Sequence, residues 1–546
     1  MINGAAFSLQ WIPRKMFQLY SPDYKTRLRL YDTFGFFQSS FVQALSAWNI
    51  EDPHGEIKRM KTERARFERE QYDEIRQYCL SECRLLVALM DKLDASMKSA
   101  GITLRSYMGA GSVAGALLQK ERVKKSHESD STYSEQVQAA IYSAYFGGRI
   151  EIFQQGIFEN VLSYDIVSAY PYQCLSLPRL KDGQWRKAKL EEIVKPKLDA
   201  IWRVEWDVTS RRDVMPFPLR KKQSIYYPQN GRGWFHHAEV QAALALYPDE
   251  INVLEGHVFE PANDEKPFAF VREYFAKRQE AKERGDPAEK AYKLGLNSLY
   301  GKTAQGIAYK GEPPFRSLYW AGKITSGTRA RLLDCASLWP SGVISIATDG
   351  IVFNAADRPV IEESKALGGF ERTQIDELFI AQPGIYYART SDGKEIKKSR
   401  GFFTREIDYD DLREGWIRDG TTFTQKAVCE CGHAETRHEN SHCNRCDCNG
   451  FSTRRRFIGI GVALMRKDFS VWRTWQESDR ILSLNSSRKF YATEEPARRM
   501  PLLPPRFPQI IDSEPYIPKG STLEARDAMI ELVSQMEQPL EIEGGE

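Results

Sequence analysis

Residues 343–353, VISIATDGIVF, constrain this chain more than any other stretch. The run is apolar and β-branched, as a buried strand requires, yet Asp349 interrupts it. An isolated charge inside a core is costly, so a carboxylate there must pair, bind a cation or protonate. A second segment poses the same problem: SYDIVSAYPYQ (163–173) puts Asp165 at the end of a β-like run, before a Ser-Ala-Tyr-Pro turn. A third, KLGLNSLYGK (293–302), reads as a helix with Lys293 and Asn297 on one face at i, i+4 and Tyr300 a further turn along. Singly, each has a bland explanation. Asp165 could cap a helix, Asp349 could start a turn before Gly350, and KLGLNSLYGK could be an ordinary amphipathic helix. Together, two aspartates on separate strands and a helix offering a lysine and aromatic rings suit chemistry on a phosphate. Paired divalent ions there stabilise the attacking and leaving oxygens.

A chain of 546 residues is too long for one core, and roughly three to four domain-sized units are expected. With 42% hydrophobic and 28% charged residues, disorder, a collagen-like repeat and a disulfide-stapled miniprotein are excluded. The longest apolar runs, such as LLVALM (85–90) and FIGIGVALM (457–465), are far too short to span a membrane. No basic start leads into an apolar stretch with a cleavage site, so secretion is not expected. The net charge of +3 hides a split. Residues 521–546 carry seven acids against Arg526, leaving the body at +9, which permits nucleic acid as a partner without arguing for it.

Five of the nine cysteines and three of the eight histidines crowd into CECGHAETRHENSHCNRCDC, 429–448. Two close cysteine pairs joined by a polar loop can bring four soft ligands to one tetrahedral zinc. The expected ligands are Cys429, Cys431, Cys443 and Cys446, with His433, His438 and Cys448 as substitutes. No position is left open for water, so the zinc would be structural. The competing reading is a cysteine-rich loop without metal. The other cysteines are scattered, as in reduced intracellular chains.

No internal repeat is present. Residues 1–105 read as α/β, with a strand near Leu28–Tyr31 and a long helix through RFEREQYDEIRQYCLSECRLLVALMDKL. The charged stretch Lys120–Glu135 suggests a linker. Strands are expected at 149–154, 161–167 and 202–208, and helix from 266 to 300 with one break at GDP (285–287). The last 26 residues suggest a short acidic helix ending at Pro539. WFHHAEV (234–240) invites a metal reading, but adjacent histidines diverge on a helix, so a surface or packing role is expected.

The three segments, in this order, resemble the D-x-x-S-x-Y-P, K-x-x-x-N-S-x-Y-G and D-T-D motifs of the family B DNA polymerases, most closely the protein-primed phage-type branch. The resemblance implies a DNA-directed DNA polymerase in the cytoplasm, of the bacterial host if phage-encoded. Asp165 and Asp349, with the Ile166 carbonyl, would hold two Mg²⁺ ions, or Mn²⁺. Tyr170 would stack under the deoxyribose and exclude a 2′-hydroxyl. Lys293 would contact the triphosphate of the incoming dNTP, Asn297 and Tyr300 would line the nascent base-pair pocket, and Arg278 and Lys282 in KRQEAK would match a phosphate-contacting R-x-x-x-K pair. AYFGGR (144–149) looks like the Y-x-G-G motif, placing Tyr145, Gly147 and Gly148 near the template. KKSRGF (397–402) resembles a basic K-x-R-G segment whose Lys398 and Arg400 would touch the backbone of primer–template DNA. YDTF (31–34) resembles a single-strand contact segment, through Thr33 and Phe34, of a proofreading domain.

The implied architecture is a mixed α/β right hand of palm, fingers and thumb, preceded by a truncated RNase H-like exonuclease domain. Its expected bounds are 1–105 for the exonuclease-like part, 106–140 for a linker and 141–205 for the first part of the palm. An insertion resembling a terminal-protein-contacting region follows at 206–265, then fingers at 266–312 and the second part of the palm at 313–402. A thumb-like region spans 403–520, with the zinc insert at 427–452, and an acidic tail spans 521–546. The pattern departs from the family at four places. Ala347 replaces the first aspartate of D-T-D and Gly350 the following serine. Pro383 stands where a primer-gripping lysine is usual, with Tyr386 as a partial substitute. In the proofreading domain's third motif, Tyr78…Glu82 carries glutamate for aspartate, and the other exonuclease motifs would lie upstream of Met1, so proofreading by this chain alone is not expected. A terminal protein or another replication protein is an expected partner, and high processivity is not implied. Two further functional readings stand beside the polymerase: a catalytically impaired DNA-binding derivative, and a zinc-dependent interaction module at 427–452.

Overall fold

In the computed structural model, the described residues are 8–399, except 13–14, 22, 24, 53–54, 64–71, 209–213, 222–223, 307–311, 355–358, 360 and 383. Beyond these come short strands between 422 and 501, and residues 470, 471, 510, 512–514 and 516. An antiparallel meander of β1 (Ser8–Ile12), β2 (Met16–Tyr20) and β3 (Arg27–Tyr31) opens the fold. Four helices follow: α1 (Phe34–Phe37), α2 (Phe41–Ala47), α3 (Glu56–Glu63) and α4 (Tyr72–Ser99). The start of α2 is set by a capping box between Ser40 and Gln43. In α4, Leu89, Leu93 and Met97 fall on one face at four-residue spacing and are buried in the largest core.

The expected linker is instead packed. Residues 106–140 contain α5 (Ala110–Lys120), whose Val113, Ala114, Leu117 and Leu118 are buried, and most of α6 (Glu135–Ala144). Between them, buried Asp130 accepts from the Ser317 hydroxyl (2.8 Å) and from the Leu318 N–H, and His127 Nε2 meets the Arg316 carbonyl at 2.7 Å. A charged stretch looks solvated until its partners arrive from elsewhere in the chain. Here those partners are some 190 positions away.

The largest sheet takes β4 (Ile150–Ile152) and β5 (Gly156–Ile166) from one side of a long excursion. From the other side it takes β12 (Val343–Ala347), β13 (Gly350–Phe353), β14 (Phe370–Gln382), β15 (Ile385–Thr390) and β16 (Glu395–Ser399). Its order is β16-β15-β14-β5-β13-β12-β4, every pair antiparallel. Leu162, Tyr164 and Ile166 face a core shared with Leu332, Leu333 and Ala336 of α12 (Leu318–Leu338). Side chains alternate along a strand, so Ser163 and Asp165 face the opposite, open side.

The excursion begins with α7 (Ala169–Cys174) and then β6 (Gln184–Lys187), β7 (Ala200–Asp207), β8 (Leu219–Lys221) and β9 (Ser224–Tyr226). It continues through β10 (Asn230–His236), α8 (His237–Leu246) and β11 (Ile251–Glu260). A second sheet has the order β10-β7-β11-β6. Thus β6 and β7, expected in the palm, pair with the insertion, because Trp202, Val204 and Trp206 of β7 find their core against Phe235 of β10 and Val258 of β11. Strand character is local, whereas strand partnership is not. The two histidines are packing residues: Trp202 Nε1–H donates to His237 Nδ1 (3.0 Å), and His237 Nε2–H donates to the Lys195 carbonyl (2.6 Å).

A helical hairpin, α9 (Val271–Glu283) and α10 (Ala288–Asn297), breaks at 285–287, with Asp286 accepting from the Ala288 N–H (2.8 Å); α11 (Leu299–Thr303) follows directly. Past Ser399, the backbone forms short antiparallel ladders, among them Cys429 opposite Phe451 and His438 opposite Cys443. The side chains of those three zinc candidates, and all of Cys431, His433, Cys446 and Cys448, lie outside the described residues. So do Pro383, Arg400, most of the expected thumb and the acidic tail.

Candidate active site

Strand β13 lies between β5 and β12, which sets Gly350 opposite Asp165 and leaves Thr348 and Asp349 as the turn of the β12–β13 hairpin. The Ile166 N–H donates to the Asp349 carbonyl at 2.9 Å, so the two aspartates sit on adjoining backbone. The turn is strained: Thr348, a β-branched residue, has φ +64°. Its N–H donates to the Arg149 carbonyl (2.7 Å), and the Asp349 N–H donates to the Ala347 carbonyl (2.8 Å). Arg149 is itself buried, paired to Glu151 and seated 3.9 Å over the Tyr227 ring. These contacts hold the turn in a conformation it would not choose alone.

Asp165 remains open to solvent on the free side of the sheet, yet the protein around it pushes its carboxyl above the usual carboxylate range. Neighbouring Glu371 adds to the rise, and a hydrogen bond from Ser163 opposes it. Asp349 is raised too, by burial first and then by Asp165. Two acids whose charged forms their surroundings disfavour make a site whose natural complement is a cation. Gly350, read from sequence as a departure, has a local reason: a Cβ there would fall 2.4 Å from Asp165 Oδ1. Among the described residues no three His, Cys, Asp or Glu side chains form a metal-holding group, so the aspartate pair and nearby backbone are the available donors.

Beside the pair stands a tyrosine cluster. Ser168, with φ +50°, turns the chain from β5 into α7 and presents Tyr170. The Tyr170 ring lies 4.8 Å from that of Tyr300, and the Tyr300 and Tyr145 hydroxyls are 2.8 Å apart. Gly148 backs Tyr170 so closely that a Cβ would sit 2.7 Å from the phenol oxygen. The Tyr170 hydroxyl is pushed up to about 12, chiefly by burial, with Arg329 lowering it and Asp349 raising it. Arg329 escaped sequence reasoning, being one of two arginines in the otherwise unremarked helix α12. It is buried, pairs with Glu239 through two 2.7 Å contacts, and donates to the carbonyls of Phe146 (2.9 Å) and Gly147 (2.6 Å).

The chain is similar to known proteins. The profile of a family described as DNA polymerase type B, organellar and viral, matches residues 45–314, which include Asp165, Tyr170 and the α9–α10 hairpin. Over that stretch the chain belongs to the family B DNA polymerases. It is 26% identical over 284 residues to the DNA polymerase of Acidianus bottle-shaped virus (isolate Italy/Pozzuoli), covering 50% of this chain and 42% of that one. It is 31% identical over 172 residues to the DNA-directed DNA polymerase of Enterobacteria phage PRD1, covering 30% and 28%. The matched stretches thus span less than half the length of these relatives. Phi29 DNA polymerase in an orthorhombic crystal form shares the fold, with a TM-score of 0.55 at 17% identity over 78% of this chain and 83% of that one. The phi29 enzyme complexed with primer–template DNA and incoming nucleotides gives 0.57 at 14% identity over 89% and 86%. We assign the large sheet to the palm and the α9–α10 hairpin to the fingers of such a right hand.

The remaining family B candidates divide. Tyr386 on β15 joins the centre: burial raises its phenol first, then Asp165. It lines a cavity of about 200 Å³ on the open palm face with Ser163, Asp165, Gly350 and Thr373. Lys293 and Asn297 are exposed together on one side of α10, as the spacing predicts, and Lys282 is exposed on α9. Arg278 is engaged: its Nε donates to Glu289 of α10 at 3.1 Å. Lys398 is exposed on edge strand β16, opposite Tyr386 in register. Thr33 and Phe34 begin α1 in the N-terminal region, with Phe34 exposed. Tyr78 is buried, and Glu82 is ion-paired to Lys61.

Proposed function

We propose that this chain extends a primer 3′-hydroxyl on a DNA template, the hydroxyl attacking the α-phosphate of a dNTP in line and releasing pyrophosphate. The observation that carries this reading is the Asp165–Asp349 pair: two carboxyls on adjoining backbone, Asp165 exposed on the open face of the sheet and Asp349 half-buried beside it, each raised chiefly by burial. Such a donor set fits hard divalent cations, and the Ile166 carbonyl completes it in our reading. Bound there, Mg²⁺ or Mn²⁺ would supply the charge that stabilises the entering and leaving oxygens. Tyr170, backed by Gly148 and braced by Tyr300, forms a wall under the sugar that leaves no room for a 2′-hydroxyl. Lys293 and Lys282 are free to meet the triphosphate, while Arg278 reaches it by exchanging Glu289 for phosphate. Primer–template DNA crosses the open palm face past Tyr386 and Lys398. We assign the sheet of β6, β7, β10 and β11 to contact with a terminal protein or another replication protein.

The test is primer extension with Mg²⁺ or Mn²⁺. Asp165→Asn and Asp349→Asn should each lower incorporation by at least ~100-fold, since each removes charge facing the transition state, while gel-shift affinity for primed DNA holds. Full incorporation by either variant would overturn the assignment.

A further inference from the structure

Asp512, Ser513, Glu514 and Tyr516 come late in the chain, yet they are bound to the insertion at one end and to the tyrosine cluster at the other. Asp512 is gripped by Arg232 of β10 through contacts of 2.8 and 2.7 Å, with Arg203 of β7 at 3.4 Å. The Ser513 N–H donates to the Arg232 carbonyl (2.8 Å), and the Ser513 hydroxyl accepts from the Arg220 N–H (3.0 Å). The Glu514 N–H donates to the Arg220 carbonyl (3.0 Å), and its carboxylate meets Lys221 at 3.0 Å. The Tyr516 N–H then donates to the Tyr142 carbonyl of α6 at 2.9 Å. This run of backbone and side-chain bonds delivers one aromatic ring to one place: Tyr516 packs edge-on against Tyr145, with ring centres 5.1 Å apart.

Arg220 ties the same junction from behind. Its buried guanidinium lies 4.4 Å over Phe146 and 5.5 Å over Tyr516, and it donates to the Tyr145 carbonyl. Tyr145 passes the constraint on through its hydroxyl contact with Tyr300, whose ring abuts Tyr170. We infer that Asp512, Ser513, Glu514 and Tyr516 form a strap that braces the nucleotide pocket from outside, with Tyr516 as a positioning residue for Tyr145. Tyr516 acts through another side chain and touches none of the reacting atoms. The inference rests on the polymerase reading above and goes beyond it: the end of the chain sets how tightly the incoming nucleotide is held.

The test begins with the intact chain in steady-state primer extension. Tyr516→Ala deletes the ring and should raise KM for dNTP by about 3- to 10-fold, the worth of one aromatic edge contact, while kcat stays within about 2-fold. Affinity for primed DNA should be unchanged. Tyr516→Phe keeps the ring and should behave as the parent. Arg232→Ala, which releases Asp512 at the other end of the strap, should reproduce the KM rise even if Tyr516→Ala folds poorly. Hydrogen exchange at the amides of 142–148 should quicken in both the Ala variants. An unchanged KM in Tyr516→Ala and Arg232→Ala, in a preparation whose parent extends primers, overturns the strap. Absence of extension by the parent itself overturns the polymerase reading instead, and faster exchange at 142–148 would then still support the strap as a structural tie.

Discussion

A missing Cβ decides two contacts at the centre of this site. Gly148 lets the Tyr170 phenol approach, and Gly350 leaves room for the Asp165 carboxylate. Gly148→Ala would set a Cβ 2.7 Å from the Tyr170 oxygen and 3.3 Å from the Thr348 backbone. The backbone of a strained turn yields less easily than a phenol ring, so Tyr170 must move. Sugar discrimination should therefore relax in Gly148→Ala, as it should in Tyr170→Ala, by about 10-fold or more in the ratio of rNTP to dNTP kcat/KM. An unchanged ratio in Tyr170→Ala would remove that residue from the gate. The aspartates carry a second expectation. Both carboxyls are raised, so without metal their ionised forms cost stability, a cost that grows as pH rises from the unfolded value through the folded one. In metal-free protein at neutral pH, Asp349→Asn should therefore be no less stable than the parent, despite its expected loss of primer extension. A clear loss of stability in that variant would mean that Asp349 has a favourable partner in the fold.

Elements hold these residues through buried charge and close packing. Helix α12 carries Arg329, and α8 carries Glu239; the pair is buried, and Arg329 also serves two carbonyls of the loop before Gly148. Removing one partner strands the other, which costs about 3–5 kcal/mol at such sites. Glu239→Ala should lower the urea midpoint accordingly, while Glu239→Gln, which still accepts a hydrogen bond, should lose less. In the fingers, Gly295 faces α5, and a Cβ there would meet Leu117 Cδ1 at 2.4 Å. Gly295→Ala should thus cost about 1–3 kcal/mol by overpacking, and pairing it with Leu117→Ala should recover part of that in a double-mutant cycle. Strict additivity would show that α10 and α5 do not press on each other. The N-terminal helices are therefore part of the fingers' support. The Ser96 hydroxyl accepts from the Ala291 N–H, and the Ser99 hydroxyl donates to Asp286 at 2.8 Å.

At the scale of the whole molecule, the same two acids should couple cation binding to stability. A ligand that binds only the folded chain at a hundredfold excess over its Kd stabilises by about 2.7 kcal/mol. Mg²⁺ or Mn²⁺ should raise the thermal midpoint of the parent, EDTA should reverse it, and Asp165→Asn should show neither effect. An equal shift in that variant would place the responsible cation elsewhere, the cysteine-rich segment included.

Motif order in the sequence alone singled out Asp165, Tyr170, Tyr300 and Asp349 as candidates, because each stands at a local discontinuity: an acid ending or breaking an apolar strand, a tyrosine in a turn or at a helix end. It also located the helical hairpin and its break, since Gly and Pro act within a few residues of themselves. Tertiary structure alone decided what these discontinuities are held by. That β7 pairs with the insertion, that Asp130 caps a helix 188 positions later, and that Arg329 and Tyr516 brace the tyrosines all depend on which distant surfaces meet. Local steric and solvation preferences are written residue by residue, whereas a buried ion pair or an aromatic edge contact exists only once both partners have been brought together and water has been excluded between them.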